Sequence, residues 1–389
     1  MTIVTKLAEQ ARRDGRFGLD TEFVSERRYR PLLCLVQIVV GERIEILDPL
    51  GDLDPAPLAA VLADPEIEVV LHAGRQDVAL LKRTWKTEIT NIFDTQVAAG
   101  FAGYGAQSGY DSLVRSLLGV AAKGAEGFSR WERRPLTREQ IEYARADVEH
   151  LLPMADALQE RLRGSGRLEW AREECRALER ATDERSTVEQ FARLPRVRRL
   201  SKRQRAVAVT LVEWRQALAQ EVDRPASSVL PDHVLVEVAR RQPDSRRALE
   251  EVRGMPAQTY QRWHRELLAA VARGRDAPDA PDLPDIEQGD SADAPLIALG
   301  QALVRQRAIE AKVAVDLVST QSDIAAVVGA LRRNNAAGPS RTREAGDEPG
   351  VRTLQGWRRE LVGDELVKLL SGDYVVRVRD RRLTVEPGG

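Results

Sequence analysis

Cysteine is scarce in this chain. There are two, Cys34 and Cys175. They lie far apart with no third, which excludes a disulfide scaffold and a cysteine-built zinc site and suits a reducing cytosol. The four histidines show no ligand spacing among themselves. No run of about 18 apolar residues exists, so no transmembrane helix is expected. The N-terminal stretch MTIVTKLAEQARRDGR has no apolar core of signal-peptide length. A basic excess is missing too. The formal net charge is −1, so an argument for a polyanionic partner has to rest on local charge.

What is present is a globular composition, 43% apolar and 31% charged, over 389 residues. That length suggests two or three domains, each able to bury a core. FGLDTEF (17–23), LLCLVQIVV (32–40) and ERIEILD (42–48) read as strands, with Gly41 at a hairpin turn. A helix near 56–63, a strand at 67–72 and a helix at 76–84 come next. A strand meander leading into alternating strands and helices predicts an α/β fold, a mixed sheet with flanking helices. From about 95 onward only helical patterns are seen. The longest opens at Pro135-Leu136-Thr137, with Thr137 and Gln140 as a capping box, and runs to about 162 with a kink at Pro153.

Gly164-Ser165-Gly166 breaks that pattern. The organisation expected is 1–165 as the first domain, 166–199 as a charged helical connector and 200–275 as a compact helical unit. The Asp-, Ala- and Pro-rich segment 276–295 reads as a linker. A last unit spans 296–389, with a polar loop at 334–350 and a closing hairpin at 374–385.

Three acidic features stand out. Asp20 and Glu22 alternate onto one face of a strand whose other face is apolar. Two carboxylates there repel each other and lose solvation, and a divalent cation is a common remedy. A strand end meeting water is the plainer reading of that pair alone. Asp77 lies just past a strand end where a helix begins, a place where sites assemble, although for a lone Asp the plainer reading is an acid that suits the helix dipole. Tyr143 and Asp147 share one helix face at i, i+4, and Asp147 interrupts an apolar stripe.

In order, LDTEF, HAGRQD and YARAD resemble the motifs of the DEDD exonuclease superfamily in its tyrosine-containing branch, with ribonuclease D as the best match. FDTQVAAGF (93–101), GYDSLVRSLLGV (109–120) and RWERRPLTREQIEYARADVEHL (130–151) extend the resemblance over roughly 15–160. It implies a ribonuclease H-like sheet domain. It implies that Asp20, Glu22, Asp77 and Asp147 hold two divalent cations, Mg2+ or Mn2+, and that Tyr143 orients the attacking water. Gln76, Lys123, Trp131 and Arg134 become candidate substrate contacts. Trp131 has core packing as its alternative, and His72 reads as a hydrogen-bonded structural group. Where relatives often place an acid before the tryptophan, this chain has Arg130, and the loop GAEGF is glycine-rich. These departures bear on loop contacts and not on the metal set.

Residues 193–205, RLPRVRRLSKRQR, hold seven Lys or Arg and no acid. Beside a nuclease such a run is expected to bind phosphates, through Arg198, Arg199, Lys202 and Arg203 among others. The adjoining stretch resembles an HRDC domain, in LVEWRQALAQEVDRPASSVLPDHVLVEVARRQP and ALEEVRGMP, with Trp214, Leu218, Leu230, Leu235 and Val238 expected in its core. Residues 296–389, through GWRRELVG above all, resemble a divergent second HRDC-like domain. The implied function is a cytoplasmic 3′-to-5′ exoribonuclease. It would act on RNA with a single-stranded 3′ end, tRNA precursors included, releasing nucleoside 5′-monophosphates. No membrane and no nucleotide cofactor are expected. The rivals are the same chemistry on DNA, an inactive nucleic-acid-binding adaptor, and a carboxylate metallohydrolase unrelated to nucleic acid.

Overall fold

Strand propensity and alternation decide the centre of the molecule. The computed structural model describes residues 2–120, 130–277, 291–336 and 351–388. Helix α1 (Ile3–Asp14) leads into β1 (Arg16–Val24). Strands β2 (Leu32–Val40) and β3 (Arg43–Leu47) complete an antiparallel meander. Then come α2 (Ala56–Leu62), β4 (Glu68–Leu71), α3 (Arg75–Trp85) and β5 (Ile92–Asp94). The sheet order is β3-β2-β1-β4-β5, with β4 parallel to β1 and β5 parallel to β4. β2, apolar nearly throughout, is buried on both faces, as a covered strand should be. The expected mixed sheet with flanking helices is what forms.

The helices α4 (Thr95–Phe101), α5 (Tyr110–Leu118), α6 (Arg138–Glu149), α7 (Leu151–Gly164) and α8 (Leu168–Glu179) come next. Phe17 and Leu19 face α1, α2 and α3, while Val39 and Val70 on the other face meet α4, α5 and α7. Gly18 lies on that second face. A Cβ there would stand 2.7 Å from Val39 Cγ1 and 3.2 Å from Leu151 Cβ. Only glycine lets α7 come this close to β1, and the close approach fixes where α6 ends above the sheet.

Several details differ from the sequence reading. β5 has three residues and was not foreseen, because so short a strand shows no periodicity. The helix expected over 137–162 is two helices, broken at His150, whose φ and ψ are −109° and 7°. Proline at 153 lacks an N–H for the carbonyl of Glu149 and clashes with it. The break therefore falls one turn before the proline. Among the described residues the longest helices are instead α10 (Lys202–Glu221) and α14 (Ala257–Asp276), of 20 residues each. The connector is not all solvated. Ala171 and Cys175 of α8 are fully buried, and Cys175 Sγ accepts from the Asp94 N–H at 3.3 Å.

α9 (Thr187–Ala192), α10, α11 (Ala226–Val229), α12 (Asp232–Arg241), α13 (Arg246–Glu250) and α14 build a helical unit with its own core. Leu218, Leu230, Leu235 and Val238 are buried in it as expected, and Trp214 packs half-buried at its edge. The C-terminal unit contains α15 (Ala294–Ala311), α16 (Val315–Val318), α17 (Gln321–Ala336) and α18 (Gly356–Arg358). A π-helical turn, Arg359–Gly363, joins α18 to α19 (Asp364–Ser371), and β6 (Tyr374–Arg379) pairs with β7 (Arg382–Pro387) as the expected hairpin. This unit shares one apolar cluster with the sheet domain: Phe101 and Leu158 join Leu303, Val327, Trp357 and Leu366. Residues 278–290 of the expected linker and 337–350 of the polar loop lie outside the described residues. Among the described residues, no single helix is long and apolar enough to cross a membrane.

Candidate active site

Alternation along β1 sends Asp20 and Glu22 to the face that α6 crosses, opposite Gln37 and Leu35 of β2. A bulge between Glu22 and Phe23 ends the regular pairing there. α6 is held at its start by the predicted capping box. Gln140 N donates to Thr137 Oγ1 at 3.2 Å and Thr137 N donates to Gln140 Oε1 at 3.0 Å. The helical repeat then brings Tyr143 and Asp147 over the strand, where the tyrosine hydroxyl donates to Asp147.

Asp77 enters from the first turn of α3, only 7% exposed, and accepts a hydrogen bond from Thr21 Oγ1. The turn that delivers it is braced. Ala73 adopts a left-handed backbone, φ 55°, and the N–H groups of Ala73 and Gly74 donate to Asp94 at 3.2 and 2.8 Å. Asp94 also caps α4. His72 is the structural group expected: its Nδ1 lies 2.9 Å from Thr95 Oγ1, and its ring meets Tyr110 edge-on at 5.6 Å. Tyr110 in turn accepts from His150 N at 2.9 Å. One chain of contacts thus links the turn before Asp77 to the helix break after Asp147. Thr21, Asp94 and Tyr110 were not singled out in the sequence. The Asp-Thr pair at a strand end was the available signal for Asp94, being an N-cap.

Electrostatics tie the four acids together. Burial, then Asp77, Asp147 and Glu22, hold the Asp20 carboxyl well above the usual range. Burial, then Asp147 and Asp77, push Glu22 up to about 8. Burial raises Asp147 to about 7, and it raises Asp77 despite the Thr21 hydrogen bond. Among the described residues, no three His, Cys, Asp or Glu side chains form a ready-made metal cage. The donor set nevertheless fits a hard divalent cation. It is all carboxylate oxygen, and Asp77 and Asp147 both raise the proton affinity of Asp20 and Glu22, so positive charge is what the cluster lacks. Tyr143 is also raised, by burial first and then by Asp147, Glu22 and Asp20. Without cations its hydroxyl therefore keeps its proton, which it donates to Asp147.

Gln37 is a second unexpected feature. It is 0% exposed, opposite Asp20, and neither amide atom has a hydrogen-bond partner. An orphaned buried amide costs roughly 1–3 kcal/mol. Gln37→Leu, of similar volume, is expected to stabilise the cation-free protein by about 1–2 kcal/mol. Urea denaturation reads this directly, and a comparable loss instead would mean that the amide has a partner in solution.

The candidate substrate contacts divide. Gln76 is exposed beside Asp77. Trp131 is 3% exposed and packs against the Tyr143 ring at 5.9 Å, which corrects the stacking platform to a support for Tyr143. Arg134 spends its guanidinium on Asp48, at 2.5 Å from both Nε and Nη2, and on the carbonyls of Cys34 and Trp131. It is a staple between β2, the Asp48 turn and the approach to α6, not a waiting phosphate ligand. Lys123 and the GAEGF loop lie outside the described residues. Arg199, Lys202 and Arg203 are exposed around the start of α10, and Arg198 is half-buried.

The comparisons with known proteins agree with this geometry. A family model described as 3′-5′ exonuclease matches residues 2–163, and an HRDC domain model matches 204–271. Ribonuclease D of Acidiphilium cryptum is 35% identical over 371 residues, 94% of this chain and 91% of that protein. Ribonuclease D of Escherichia coli is 31% identical, covering 95% of this chain and 96% of that one. The crystal structure of the E. coli enzyme, an exoribonuclease involved in structured RNA processing, superposes with a TM-score of 0.82 over 95% of this chain and 96% of that one, at 30% identity. Members of this exonuclease family depend on divalent metal. By identity along nearly its whole length and by its fold, the chain belongs to the ribonuclease D family of 3′-to-5′ exoribonucleases.

Proposed function

We propose that this exoribonuclease trims single-stranded 3′ ends of structured RNA precursors, tRNA precursors among them, with two divalent cations, Mg2+ or Mn2+, held by Asp20, Glu22, Asp77 and Asp147. The observation that carries the reading is the set of four carboxylates beside Tyr143, in which Asp77 and Asp147 hold the carboxyls of Asp20 and Glu22 above their usual range. The cations, when bound, stabilise the entering and leaving oxygens of an in-line displacement. Tyr143 orients the attacking water through its hydroxyl, and Trp131 keeps the tyrosine ring in place from behind. Water adds to the terminal phosphorus, the bond to the upstream 3′ oxygen breaks, and a nucleoside 5′-monophosphate leaves. The helical units 200–275 and 296–389, the latter as a second HRDC-like domain, grip RNA upstream. A cytoplasmic location belongs to the same reading, and the two free, buried thiols of Cys34 and Cys175 support it.

The test uses 5′-labelled single-stranded RNA and the matching DNA. Successive shortening from the 3′ end of RNA, abolished by chelator and restored by Mn2+ or Mg2+, is the expected result. Equal or faster shortening of DNA would move the substrate class. RNA binding without shortening would leave only an adaptor.

The same cluster implies a pH effect. Carboxylates whose folded pKa is raised stabilise the fold below their unfolded pKa, near 4, and lose that contribution as pH rises through the folded value. Here that window ends near 7 for Asp147 and near 8 for Glu22. Cation-free protein should therefore lose stability across it, while bound cations displace those protons. The rise in Tm on adding Mn2+ should grow between about pH 6 and about pH 8.5. A rise independent of pH would mean that the cation binds elsewhere.

A further inference from the structure

A groove of about 430 Å³ is lined by residues next in the chain to Glu22 and Asp77. It starts at Phe23 and Ser25, just past Glu22, and at Arg75 and Gln76, just before Asp77. It ends against the connector at Asp183, Glu184, Arg185, Glu189 and Arg193. Phe23, Ala79 and Leu80 supply apolar surface. The acids along it are engaged. Asp183 pairs with Arg83 at 2.7 Å and Glu184 with Arg30 at 2.8 Å. Glu189 accepts from Ser186 N at 2.8 Å as a helix cap, which with Arg193 and Arg185 nearby holds its carboxyl low. By contrast Arg75, Arg185 and Arg193 are exposed, and none is in a side-chain ion pair among the described residues. Engaged acids and unpaired arginines leave the groove attractive to a polyanion, and an aromatic ring at its head suits an unstacked base.

We infer that this groove carries the single-stranded RNA immediately upstream of the scissile 3′ end, with Phe23 against a base and Arg75, Arg185 and Arg193 on phosphates. The strand then passes toward the basic run that begins at Arg193 and includes Arg199, Lys202 and Arg203. The inference rests on the reading of the four acids as the cutting site. It assigns substrate binding to connector residues lying outside the catalytic domain.

The experiment compares Arg185→Gln/Arg193→Gln with the wild-type full chain on a dinucleotide and on an RNA of about ten nucleotides with the same 3′ end, in Mn2+ at several salt concentrations. A dinucleotide without a 5′ phosphate has a single phosphodiester, which is seated at the four acids and leaves none for the connector arginines. The KM for the longer RNA should rise about tenfold relative to the dinucleotide KM, with kcat changed less than about twofold. Each single-strand phosphate contact contributes about 0.7 to the slope of log affinity against log salt, so the slope for the longer RNA should fall by about 1.4. Equal losses on both substrates would overturn the inference, since the arginines would then support the active site. An unchanged salt slope would overturn it too, because the strand would run elsewhere. If wild-type protein shortens neither RNA, the failure is that of the cutting site itself.

Discussion

In an Asp20→Asn protein, kcat for RNA 3′-end hydrolysis should fall by about 10³-fold or more. Asp20 is central to the acid cluster: after burial, all three other acids raise its proton affinity. Asparagine keeps the shape and hydrogen-bonding reach of the side chain but removes one charge. Cation stabilisation of the transition state contributes several kcal/mol, and about 4 kcal/mol corresponds to roughly 10³ in rate. The same change relieves repulsion in the cation-free protein. Near pH 8 the variant should be more stable than wild type without cation by about 1–2 kcal/mol, and its Tm gain on adding Mn2+ should be largely lost. Single-turnover kinetics and thermal unfolding read the two effects separately. Retained activity, or a full Mn2+-dependent Tm gain, would remove Asp20 from the cation site.

Trp357→Ala should destabilise the protein by about 3–5 kcal/mol, the usual cost of truncating a buried tryptophan. Trp357 is 1% exposed at the junction between the C-terminal unit and the sheet domain. Its ring meets Phe101 of α4 edge-on at 4.7 Å and stacks on Trp170 of α8 at 5.7 Å, and the Arg358 guanidinium lies 4.4 Å from it. Its indole N–H donates to Glu174 at 3.4 Å, where Arg358 and Arg352 also bind, at 2.6 and 3.3 Å. Truncation opens a cavity in the cluster that, among the described residues, both units share. The loss should therefore appear as early release of the C-terminal unit, seen in urea denaturation and in protease cleavage within 296–388. Trp357→Phe keeps the apolar contacts and should cost less than half as much. A loss below about 1 kcal/mol for the alanine variant would mean that the two units are joined by other contacts.

The parts of this protein that depend on local periodicity were legible in the order of its residues. A strand repeat of two put Asp20 and Glu22 on one face, and a helical repeat put Tyr143 over Asp147. Thr137 and Gln140 set the start of α6, and the apolar run of β2 marked a covered strand. Features that depend on partners distant in the chain came only with the packed fold. Asp77 reaches the cluster because Thr21 holds it and because Asp94 ties the preceding turn. Trp131 and Arg134, as plausible on paper as any substrate contact, are consumed by Tyr143 and by Asp48. The charged connector hides Ala171 and Cys175 against β5 and α4, and the last unit docks on the sheet domain through Trp357. A side chain's role is set by the surface it meets, and for these residues that surface is supplied by segments tens to hundreds of positions away, beyond the reach of any local repeat.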